Sequence, residues 1–96
     1  MKFKYTDETI KAEIINNRPE GFKMAFDKKA KIEENECLLK IKRGDKPFGR
    51  MLVSRIDGTT LLWIGESMSK QKFHSVSESP ACCMHALFLM QTLGMI

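Results

Sequence analysis

The C-terminal segment limits the fold more than any other part of the chain. It reads Ser79-Pro80-Ala81-Cys82-Cys83-Met84-His85-Ala86-Leu87-Phe88-Leu89-Met90-Gln91-Thr92-Leu93-Gly94-Met95-Ile96. Ser79 suits a helix N-cap, Pro80 the first helical position, and Gly94 a left-handed C-terminal cap. The helix between them is apolar almost all the way round, so it is expected to be buried on most of its faces. Two coverings are open: its own domain, or a second copy of the chain across a two-fold axis, with Met84, Phe88 and Met95 as contact residues. The longest apolar run, Ala86 to Met90, is far short of the ~20 residues a membrane-spanning helix needs.

The rest of the chain has to supply the surface that covers this helix. Thr6 is the expected N-cap of a first helix from Asp7 to about Asn17, with Ile10, Ile14 and Ile15 as its apolar stripe. Pro19 disfavours helical geometry at Arg18, and Gly21 turns the chain. The period then changes to two. Phe22, Met24, Phe26, Ala30 and Ile32 share one parity, which predicts a strand over Phe22 to Ile32. Asp27-Lys28-Lys29 offers a turn that would split it. A second strand runs from Cys37 to Arg43, with Leu38 breaking the alternation. Gly44 to Gly49 reads as a loop and Arg50 to Ile56 as a third strand. Asp57-Gly58 signals a hairpin, and Thr59 to Gly65 a fourth strand whose consecutive apolar residues suit a central position. Ser67 to Val76 is polar, with Lys72 to Val76 as a candidate fifth strand.

The expected fold is therefore α+β, in the order α-β-β-β-β-α. An antiparallel meander carries an N-terminal helix and a buried C-terminal helix, in a single domain over 1–96. At 96 residues, the chain is large enough to build a core without metal or disulfides. Cys37, Cys82 and Cys83 are odd in number and two are adjacent, which favours reduced thiols. With no apolar signal core at the N-terminus, a cytoplasmic location is expected.

Catalytic and metal sets are poorly formed. Cys82 and His85 lie one helical turn apart, the spacing of a thiol–imidazole pair, but no third group is evident and their neighbours are apolar. His74, Cys82, Cys83 and His85 carry zinc-ligating atoms without the paired spacing a tetrahedral site uses. Glu33, Glu34 and Glu36 cluster at a polar reversal. No glycine-rich phosphate loop is present, and Arg43-Gly44-Asp45 is a chance match to a short adhesion motif. No enzyme activity, cofactor or metal is expected.

The basic segment is more informative. Lys40, Lys42, Arg43, Lys46 and Arg50 surround one turn, with Phe48 as a candidate stacking residue and Lys29 and Lys31 expected on the adjacent strand. Such a patch suits an acidic protein surface or a phosphate backbone; it also suits a solvated hairpin whose lysines discourage strand addition. Trp63 defaults to the core. A single small domain with no assembled catalytic set, a basic loop and an apolar terminal helix is expected to be a non-enzymatic interaction protein that binds and blocks or modulates a macromolecular partner; the net charge of +4 is only mildly basic. Phage-type accessory inhibitors of host nucleoprotein complexes are one class of such proteins. The alternative is direct nucleic-acid binding through residues 40–50.

Overall fold

The structure is a computed structural model and describes residues 3–29, 33–65 and 75–94. Its elements are α1 (Asp7–Asn17), β1 (Phe22–Phe26), β2 (Glu36–Arg43), β3 (Lys46–Ser54), β4 (Thr60–Ile64), β5 (Ser75–Ser77) and α2 (Pro80–Thr92). The strands form one antiparallel sheet in the order β1-β2-β3-β4-β5. This is the expected α+β meander, with a fifth strand at its end.

Both helices start where capping chemistry allows. Thr6 Oγ1 accepts from the Thr9 N–H at 3.2 Å, and Ser79 Oγ accepts from the Cys82 N–H at 3.2 Å. Both lie on the same sheet face. Ile10 and Ile14 of α1 join Cys83, Met84 and Leu87 of α2 over Phe22, Leu39, Ile41, Met51, Val53 and Leu62 in one buried cluster. Alternation therefore aims the odd-numbered residues of β2, and those of β3 from Gly49 to Val53, at the helices and the even-numbered ones at the opposite, helix-free face.

Four boundaries differ from the sequence reading, each for a local reason. β1 stops at Phe26 because the Asp27 carboxylate accepts from the Lys29 N–H at 3.1 Å and turns the chain; residues 30–32 lie outside the described residues. β3 starts at Lys46, so the expected Gly44 to Gly49 loop is in fact a two-residue turn. Gly44, with φ +64°, takes the first central position, where a type II′ turn needs glycine. The register shifts between Ile41 and Lys42: Ile41 pairs with Gly49 but Lys42 with Pro47, leaving Phe48 as the extra residue of a β-bulge. Finally, Asp57-Gly58 does not make a two-residue hairpin. Asp57 stays out of the positive-φ region and accepts from the Thr59 N–H at 2.9 Å, while the Gly58 N–H reaches back to the Ser54 carbonyl at 2.9 Å.

α2 is covered along one stripe. Only Pro80, Cys83, Met84 and Leu87 are buried. The helix packs against α1, β4 and β5, which cover one stripe. Phe88 is 48% exposed, Leu89 46% and Leu93 72%. An all-apolar helix thus sits with half its circumference in solvent, because a sheet and one neighbouring helix can reach only one side of it.

Candidate functional site

The helix-free face of the sheet is ordered by register. One row across the strands runs Leu38–Leu52–Leu61–Val76. The next runs Ala25–Lys40–Arg50–Trp63, and a third pairs Lys23 with Lys42 and Lys42 with Pro47. Four cations therefore stand together as two directly opposed like-charge pairs, Lys23–Lys42 and Lys40–Arg50. Opposed like charges destabilise a sheet, and the Lys23–Lys42 pair is the one to which that cost applies most directly. Lys40, Lys42 and Arg50, with Pro47, Gly49 and Gly65, line a depression of about 370 Å³, and no acidic residue is among the described residues that line it. Lys40 Nζ lies 3.9 Å from Asp27 Oδ2, a loose and half-exposed pair of little energetic weight.

The backbone under this depression is unusually close. A Cβ placed on Gly49 would lie 2.1 Å from the Trp63 carbonyl oxygen, so only glycine fits where β3 crosses β4. The Gly65 N–H donates to the Phe48 carbonyl at 2.8 Å and closes the same corner.

The structure separates the expected contact residues. Lys40, Lys42 and Arg50 share the depression. Arg43 and Lys46 flank the hairpin turn, and the Arg43 guanidinium sits 5.6 Å from the centre of the Phe22 ring. Phe48 is not beside the lysines. The bulge rotates it to the helix side, where its half-buried ring meets Phe22 edge-on, with centroids 4.9 Å apart and planes at 82°. Trp63, the other aromatic near the cations, is only 1% exposed. The neighbouring strand contributes Lys23; Lys29 lies in the turn after β1 and Lys31 outside the described residues. Of the residues expected at a dimer contact, Met84 is fully buried in the chain's own core, Phe88 is at the surface, and Met95 lies outside the described residues.

The apolar row was not anticipated. Leu38 is buried and Leu52 and Leu61 are half-buried, but Val76 at the sheet edge is 54% exposed. Its signal in the sequence is the set of residues that break strand alternation, Leu38 above all.

Two of the three thiols, Cys37 and Cys83, are buried. Burial pushes the Cys83 thiol up to about 12 and the Cys37 thiol up to about 11. Cys82 and His85 are both exposed on α2. Among the described residues, no group of three or more His, Cys, Asp or Glu could hold a metal ion; His74 lies outside them. No helix among them is long and apolar enough to cross a membrane.

Set against protein-family models, curated proteins and solved structures, the chain matches none. The functional reading therefore rests on the face itself.

Proposed function

We propose that this is a non-enzymatic interaction domain that docks an acidic protein surface on the helix-free face of its sheet. The observation that carries the reading is the quartet Lys23, Lys42, Lys40 and Arg50, opposed in like-charge pairs beside a ladder of leucines. An anionic partner would neutralise the like charges of the opposed Lys23–Lys42 pair. The adjoining row from Leu38 to Val76 supplies the apolar centre that protein interfaces bury within a polar rim. A phosphate backbone would use the cations but not that row, and base stacking would need an exposed aromatic. Phe48 is turned to the core side and Trp63 is covered, which favours protein over nucleic acid.

The mode of action is occlusion: a partner surface held against the sheet is closed to its other ligands. A basic domain of this kind does not imitate nucleic acid. As an inhibitor of a nucleoprotein complex, in the manner of a phage accessory protein, it would act on an acidic protein element of that complex. Three free cysteines, Cys82 among them exposed, suit a reducing cytoplasm.

The test is affinity capture from the native host with the wild type and the double variant Lys23→Glu/Lys42→Glu. The double variant keeps an opposed like-charge pair but reverses its sign, so the fold should persist, as circular dichroism would report. A partner retained by the wild type, lost by the variant, and bearing an acidic contact surface is the expected result. Tight binding of short DNA or RNA, weakening steeply with salt and with a slope lowered by Lys40→Ala and Lys42→Ala, would replace this reading with the nucleic-acid one.

A further inference from the structure

A second surface lies at the opposite side of the molecule from β5, along the free edge of β1. Among the described residues, β1 pairs only with β2. The phase of that ladder follows from its two end bonds: the Gly44 N–H donates to the Gly21 carbonyl and the Asp27 N–H to the Leu38 carbonyl, each at 2.8 Å. In an antiparallel pair this phase turns the backbone groups of Lys23 and Ala25 toward β2. The N–H and C=O groups of Met24 and Phe26 therefore point outward, away from the sheet.

A groove of about 430 Å³ runs between this edge and α1. Ile14, Ile15, Met24 and Phe26 give it an apolar lining, and Ile15 is 53% exposed. Lys11, Arg18 and Lys28 also line it, and no acidic residue among the described ones does. Lys11, Ile15 and Arg18 follow one another at helical spacings of four and three, so they form one stripe of α1 facing the groove. The ion pairs among the described residues, Lys40–Asp27 and Arg55–Asp7, use none of these three cations.

We infer that the β1 edge is a strand-addition site for an extended protein segment carrying apolar residues at alternate positions and acidic residues at its ends. The outward donors and acceptors of Met24 and Phe26 match a peptide backbone, which an acyl chain could not satisfy. Alternate side chains of an added strand would fall on the α1 side, into the apolar groove. Terminal carboxylates would meet Arg18 at one end and Lys11 or Lys28 at the other. A second copy of β1 is a poor occupant, because two-fold pairing would bring both sets of groove cations together. This site is separate from the helix-free face, and its test does not involve that face's partner.

The probe is the acetylated and amidated peptide Glu-Thr-Val-Thr-Val-Thr-Glu, titrated into the full chain with amide exchange followed by NMR. Saturable binding with slowed exchange at the Met24 and Phe26 amides is expected. The double variant Lys11→Glu/Arg18→Glu should weaken binding by about tenfold or more, since it reverses charges at the contact rim. Met24→Pro removes one outward N–H at an edge position that tolerates proline, and should weaken binding similarly. If that variant fails to fold, Ile15→Asp, at an exposed helix position, replaces it. Three results would overturn the inference: no saturable binding, equal binding of Lys-Thr-Val-Thr-Val-Thr-Lys, or binding that leaves the Met24 and Phe26 amides unchanged. Protection of those amides in the free protein, together with a dimeric mass, would give the edge to a second copy and overturn it as well.

Discussion

The two faces of this sheet are made from the same strands and carry opposite kinds of information. On the helix side, Phe22, Leu39, Ile41, Met51, Val53 and Leu62 join α1 and α2 in a continuous apolar cluster. On the other side, leucines alternate by row with cations that oppose one another. The first face explains why the chain folds. The second sets Lys23 against Lys42, an opposition that the packing of the core does not call for. Each face also has an electrostatic flaw of its own. The helix side has Glu13, whose Oε2 is buried without a hydrogen-bond partner among the described residues; the other has its like-charge pairs.

The sharpest way to break the contrast is to shorten neighbouring residues of β4 that point to opposite faces. Leu62 is fully buried and Leu61 half-buried. Leu62→Ala should lose about 2–5 kcal/mol in urea unfolding. Leu61→Ala, on the face with no helix over it, should lose less than half as much. Equal losses would mean that the second face is as much a core as the first.

Next in size is the charge flaw. Lys23→Glu places an acid opposite Lys42 and should stabilise the fold by about 0.2–1 kcal/mol. The gain should shrink as salt screens the pair. A loss of stability would show that the lysines are not in repulsion and would remove the main support for an anionic partner.

The smallest expected effect is on the helix side. Burial raises the pKa of Glu13 above its ordinary 4.5. Its folded form therefore binds the proton more tightly than its unfolded form, and stability falls as pH rises through the folded pKa. Glu13→Gln should raise the midpoint of thermal unfolding by a few degrees at most at neutral pH. The gain should vanish below the unfolded pKa, where both states of the wild type are protonated. A gain independent of pH would assign the effect to packing instead.

Much of the helix side was legible in the residue order, because burial imposes period. Cys37, Leu39 and Ile41 announce their face by alternation, and Thr6, Ser79 and Pro80 announce helix starts by their capping chemistry. The helix-free face was harder to read. Lys40, Lys42 and Arg50 stood out as charges, but their pairing depends on register, and register depends on a bulge at Phe48 that no local pattern marks. The same bulge carried Phe48 away from the cations it had seemed to serve. Leu38 looked like an error in a strand and is a member of a row whose other members lie on three different strands. For α2 the residue order marked the helix and left two coverings open: composition measures how apolar a helix is, but the number of neighbours determines how much of it the domain itself can hide.

The extra residue at Phe48 acts like an added tooth between two meshed combs. On both sides of it the paired residues keep their faces, because the extra residue takes up the shift: Gly49 stays with Ile41 and Pro47 with Lys42. Deleting that single residue would leave those pairs as a regular ladder. The loss would fall on the helix side, where the Phe48 ring would no longer meet Phe22 edge-on.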